Sequence, residues 1–75
     1  MSDTISTMDY RLADVLYANQ LEVNDLISLN DEVVRIVDIQ SEKYGYSLTY
    51  ENEYGEKDTV EISDDEQFEL FVLDL

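Results

Sequence analysis

The chain contains no cysteine and no histidine among its 75 residues. Without cysteine there is no disulfide to brace a small fold and no thiolate to hold metal or attack a substrate. The usual zinc, copper and haem ligands are missing, as is the one side chain whose ordinary pKa lies near neutrality. A cysteine-free composition suits the reducing cytoplasm. Bases are scarce as well: Arg11, Arg35, Lys43 and Lys57 stand against 19 acids, for a formal net charge of −15. Lysine and arginine supply affinity for nucleic acid and anionic membrane surfaces, so direct binding to either is not expected. No apolar run approaches the roughly 20 residues of a membrane span. Nor does Met1–Tyr10, with two aspartates and no base, read as a signal peptide. A cytoplasmic protein is expected.

The two glycines, Gly45 and Gly55, form no phosphate-cradling loop, and no nucleophile elbow occurs. An EF-hand loop built around Gly55 would place Tyr50, Asn52 and Tyr54 at ligand positions, so that motif fails. Paired carboxylates can hydrolyse glycosides, but only in a cleft that separates and desolvates them, and so short a chain has little room for one. The run Asp64-Asp65-Glu66 reads as a solvated acidic turn rather than a specific metal site. The expectation is a non-enzymatic protein with no cofactor and no bound metal.

What the chain does have is patterned apolar content, 44% of residues, with 11% aromatic, which argues for a folded domain despite the charge. Its length allows one domain that buries roughly 60% of the unfolded surface. Ile5, Met8, Leu12, Val15 and Leu16 recur at helical spacing. Ser6 and Asp9 stand as a capping box and Ala18-Asn19 as a stop. This predicts a short amphipathic helix over about residues 5–17, so that residues 1–18 form a flexible start and helix, and residues 19–75 a β domain.

From Leu21 the period becomes two. Five strands are expected, Asp25–Leu29, Glu32–Gln40, Tyr46–Glu53, Lys57–Ser63 and Phe68–Leu73, separated by turn formers. Pairing Tyr50 with Val60 and Leu48 with Ile62 collects the large apolar residues on one face. It also opposes Glu51 with Thr59, Thr49 with Glu61 and Glu53 with Lys57, around a three-residue loop Tyr54-Gly55-Glu56. In the second strand Val34 and Ile36 share one face while Val33, Val37 and Ile39 take the other, the mark of a bent or bulged strand. The last strand is apolar on both faces, with Phe68, Leu70 and Val72 on one and Phe71 and Leu73 on the other. Something must cover Phe71 and Leu73: the N-terminal helix, or a second copy in a homodimer.

The stretch Ala18–Val37 resembles the opening of SH3-like barrels in translation proteins, including KOW-type modules and the N-terminal domain of elongation factor P. Asn24-Asp25 stands where those have Gly-Asp, and Asn30-Asp31-Glu32 where they have Asp-Gly-Glu. Asparagine can adopt the positive φ such turns need. The resemblance implies a mainly β fold, a small five-stranded antiparallel SH3-like barrel, here with a short N-terminal helix. Those families contact RNA through basic and polar residues; with four bases in the chain, RNA binding is not carried over.

The acids are concentrated: residues 51–75 hold ten acids and one base, a net −9. Glu51, Glu53 and Glu61 are expected to project outward, with strand neighbours two apart about 6.6 Å from each other. That scale is comparable to nucleic-acid phosphates, about 3.4 Å of rise per charge. Tyr46 and Tyr50 fall on the core face, whereas Tyr44 and Tyr54 fall in loops, where an exposed tyrosine can anchor an interface. The candidate partner-binding residues are therefore Glu51, Glu53, Tyr54, Glu61, Asp64, Asp65 and Glu66, with Phe71 and Leu73 for self-association or helix docking. The function expected is that of a protein-binding module whose partner has a basic surface. The alternative is a nucleic-acid mimic that inhibits a basic DNA- or RNA-binding protein by filling its cleft.

Overall fold

Alternating apolar and polar residues become strands wherever one face can be hidden, and here they do so along most of the described residues. A computed structural model of the protein describes residues 10–73. It has six strands, β1 Tyr10–Tyr17, β2 Leu26–Leu29, β3 Glu32–Glu42, β4 Gly45–Glu51, β5 Lys57–Ser63 and β6 Gln67–Leu73, with a 3-10 turn at Ala18–Gln20. They form one antiparallel sheet in the order β1-β6-β2-β3-β4-β5, and β1 and β5 do not meet to close it. β2 to β6 are the five expected strands, each bounded within two residues of its expected limits.

The core lies on one face of this sheet. Ile27, Val34, Ile36, Leu48, Ile62 and Phe68 are buried there, joined by Ala18 and Leu21 from the link between β1 and β2. Tyr46, Tyr50, Val60 and Leu70 pack half-buried around them. Among the described residues this sheet has no second layer, and such a sheet reaches this burial by twisting and curling over its own face. The bulge expected in the second strand is present, but it corrects the expected faces: Ile39 does not join Val33 and Val37, and the buried face stays the same along the strand. In β3 the pairing with β4 passes from Ile36↔Tyr50 to Asp38↔Thr49, so that Val37 is a bulge and Ile39 returns to the face of Ile36.

The turns use the residues expected to tolerate positive φ. Asn30 and Asp31 have φ of 54° and 66° and join β2 to β3 as a two-residue hairpin of the primed type. Asn24, at φ 80°, ends the link into β2, where its N–H donates to the Ile36 carbonyl at 2.7 Å. Gly45 is required for a different reason: a Cβ there would stand 2.0 Å from the carbonyl oxygen of Ile62.

Two further expectations are overturned. Residues 10–17 are not helical; they form β1, which pairs with β6. Its register skips from Leu12↔Phe71 to Asp14↔Leu70, making Ala13 a bulge. The bulge adds one residue to the strand's period, so Leu12, Val15 and Leu16 acquire a spacing that imitates a helix. Tertiary pairing decides the outcome, because a helix here would leave the outer edge of the apolar β6 without backbone partners. Ile5, Met8 and the Ser6–Asp9 capping box lie outside the described residues.

The β4–β5 register is the second correction. Tyr50 faces Asp58, Leu48 faces Val60, Tyr46 faces Ile62 and Glu51 faces Lys57, a slip of two residues from the expected pairs. Such a slip keeps every side chain on its own face, so burial alone does not detect it. The loop decides instead. It spans Asn52–Glu56, and Asn52 organises it: its Oδ1 accepts the N–H groups of Tyr54 and Glu56 at 2.9 and 3.0 Å, and its Nδ2 donates to Glu56 Oε1 at 2.9 Å. A hydroxyl pair between Thr49 and Thr59, at 3.0 Å, also belongs to this register.

Two substitutions test the turn geometry. Asp31→Gly removes the Cβ from a left-handed position and is expected to raise stability by up to about 1 kcal/mol. Gly45→Ala drives a methyl group into the β5 backbone and is expected to cost about 2 kcal/mol. Urea midpoints at constant m-value check both.

Candidate protein-docking face

Residues directly opposite in a sheet share a face, so the pairing register maps what lies on the outer side. Across β3, β4 and β5 that side is polar: Arg35, Glu51 and Lys57 form one row, Asp38, Thr49 and Thr59 the next, Gln40, Ser47 and Glu61 the third. Across β1, β6 and β2 it is apolar. Tyr10 lies opposite Leu73, and Leu12 opposite Phe71, which in turn faces Leu26; Val15 and Tyr17 continue along β1 beside Glu69 and Gln67. Arg35 stands at the seam, opposite Leu26 on one side and Glu51 on the other. Its guanidinium donates to the Glu51 carboxylate and, at 2.9 Å, to Asn24 Oδ1, tying the turn before β2 to β4.

The acidic residues singled out in the sequence do not converge. Glu51 is half-buried in its ion pair with Arg35. Glu53 leaves the strand and is exposed in the Asn52–Glu56 loop beside Tyr54, which is 77% exposed. Glu61 is exposed on the outer side of β5. Asp64, Asp65 and Glu66 occupy the β5–β6 turn, where Glu66 accepts the Ser63 N–H through its side chain and the Ala18 N–H through its carbonyl. The loop with Glu53 and the turn with Asp64 lie at opposite ends of β5, which at about 3.3 Å per residue separates them by about 20 Å. The outward row expected from Glu51, Glu53 and Glu61 is thus broken twice.

Phe71 and Leu73 do sit together, on the outer side of β6, and among the described residues no helix covers either. The residues missed in the sequence are their neighbours on β1. Tyr10, Leu12, Val15 and Tyr17 are 36–51% exposed and all point to the same side as Phe71 and Leu73. The bulge at Ala13 brings this about, since it returns Val15 and Tyr17 to the face of Tyr10 and Leu12. The one signal for them was compositional: tyrosine and valine favour strands over helices. At the β2 margin a groove of about 290 Å³ opens between Asn24-Asp25-Leu26 and Leu70–Leu73. A second hollow, about 370 Å³, lies under the β3–β4 turn, where the Lys43 ammonium stands 5.5 Å from the Tyr44 ring centre. Among the described residues no group of three acids is placed to hold a metal ion, and no helix is long and apolar enough to cross a membrane. Compared with protein-family models, curated proteins and solved structures, the chain matches none of them.

Because Asn52 alone satisfies three polar groups of the loop that carries Glu53 and Tyr54, Asn52→Ala is expected to cost about 1–2 kcal/mol. Amide hydrogen exchange should speed at Tyr54 and Glu56 while the β1–β6 pairing stays protected.

Proposed function

We propose that the protein is a small non-enzymatic protein-binding module that docks a protein partner on the outer face of β1 and β6. The observation that carries this is the row formed by Tyr10, Leu12, Val15, Tyr17 and Leu73: five of the eight large hydrophobic residues exposed among the described ones share that single surface. Apolar side chains scattered singly over a surface need no explanation, but a contiguous patch marks a contact. Tyrosines suit such a contact, offering rigid area with a polar tip.

The charges around the patch give the partner its sign. Glu69 lies within it, Asp25 lines the adjoining groove, and the base on β1, Arg11, faces the other side. A partner presenting an apolar contact flanked by lysine or arginine would be steered to this face by the net charge of −15. In fold the module belongs with SH3-like barrels. The run β6-β2-β3-β4-β5 with its long bulged β3 supports that kinship, with β1 as an added edge strand. A cytoplasmic setting, without cofactor, membrane or direct nucleic-acid contact, completes the proposal. The nucleic-acid mimic finds less support, since its row of acids is interrupted at Glu51 and Glu53.

The test is capture of partners from host lysate by the purified chain at low and moderate salt. Leu12→Asp combined with Tyr17→Ser is expected to abolish capture of a basic protein at both salts, with an unchanged far-UV circular dichroism spectrum. Glu61→Lys with Glu53→Lys is expected to weaken it at low salt only. If instead the charge reversals abolish capture, the apolar variants do not, and free DNA competes, the mimic is the function.

A further inference from the structure

We propose that β1 is a self-pairing edge: two copies of the chain join antiparallel along β1 about a twofold axis, extending the sheet across both. The proposal concerns the edge of the strand rather than its outer face, and it stands whether or not that face binds a partner. Among the described residues β1 pairs on one side, with β6, leaving its other side open to a strand. An exposed, apolar edge of this length is a template for pairing with another chain.

The occupant is identified by charge. β1 carries one base and one acid, Arg11 and Asp14, and is neutral in a chain of net charge −15. The bulge at Ala13 puts both on the same face, Arg11 opposite Val72 and Asp14 opposite Leu70. Antiparallel pairing about an axis between Leu12 and Ala13 then sets Arg11 of each copy against Asp14 of the other. The same register sets Tyr10 against Val15 of the other copy on the outer face, so charged and apolar residues each meet their kind of partner. In the single chain the Asp14 carboxylate accepts the N–H of Val15 at 2.8 Å. In the pair, Arg11 of the second copy takes that carboxylate and the Val15 N–H is released to the ladder.

The other open edge, β5, does not offer this. Its Asp58 likewise accepts the N–H of Thr59, at 2.8 Å. Setting Lys57 against Glu61 of a second copy would bring the Asp64-Asp65-Glu66 turn of one against the Glu53–Glu56 loop of the other, acid against acid. Like charges so placed repel.

Sedimentation equilibrium on the full chain tests the proposal, in about 0.15–0.3 M salt so that the net charge is screened. The wild-type chain is expected to reach dimer mass as its concentration rises toward about 1 mM. Arg11→Asp alone and Asp14→Arg alone each create like-charge pairs across the axis and are expected to weaken the dimer by at least about tenfold. Mixed in equal amounts, the two variants present opposite charges to each other and are expected to form the dimer that neither forms alone. The double variant Arg11→Asp/Asp14→Arg, which keeps the composition and only swaps the charges, is expected to dimerise like the wild type. A wild-type chain that stays monomeric throughout this range overturns the proposal. So do single variants that associate as the wild type does, or a charge-swapped double variant that folds but stays monomeric.

Discussion

The described residues form one sheet with no second layer, which has only its own curvature with which to hide its apolar face, and the rest of the described structure answers to that constraint. The core residues Ile27, Val34, Ile36 and Leu48 are almost fully buried, and among the described core residues only Ala18 and Leu21 lie outside the strands. Curvature comes from two bulges, Val37 in β3 and Ala13 in β1, since an extra residue bends a strand and tightens its twist. Backbone contact tight enough to exclude a methyl group at Gly45 follows from the same packing. One end is stopped by Ala18 and Leu21, held where the Ala18 N–H meets the Glu66 carbonyl at 3.0 Å.

The same constraint sorts the outer side. With one face committed to the core, the other carries whatever remains, and it divides at Arg35 into a polar half and an apolar half. The polar half satisfies itself: the charges of Arg35 and Glu51 meet, and the hydroxyls of Thr49 and Thr59 bond across the strands. The apolar half has no such internal partner. The described acids are spread over the strands and over the loops at the two ends of β5, so the high charge is dispersed instead of being focused into one field.

Most of the sheet was legible because a period of two is unambiguous when apolar residues alternate as in Tyr46-Ser47-Leu48-Thr49-Tyr50. The positive-φ turns were legible because few residues other than glycine tolerate them, and Asn24, Asn30 and Asp31 stood where they were needed. β1 was hidden by its own bulge, which converted a strand pattern into a helical one. The β4–β5 register was hidden because a shift of two leaves burial unchanged, and the deciding bonds of the Asn52 side chain are local chemistry that hydropathy does not record. For the apolar outer face, Phe71 and Leu73 were visible as the second apolar side of the last strand. Their neighbours Tyr10, Leu12, Val15 and Tyr17 join them only through pairing between distant parts of the chain.

That pairing also orders events in time. β6 is the last described strand to leave the ribosome, yet in the sheet it lies between the first two, β1 and β2. The β2–β5 meander connects neighbours in sequence and can assemble while synthesis continues. β1 must wait, because its one strand partner among the described residues is β6, and the loop closed by their meeting spans nearly the whole described chain. Long closures are the slow ones. During translation β1 therefore remains unpaired and apolar, open to any chaperone or neighbouring nascent chain, until β6 arrives to slot beside it.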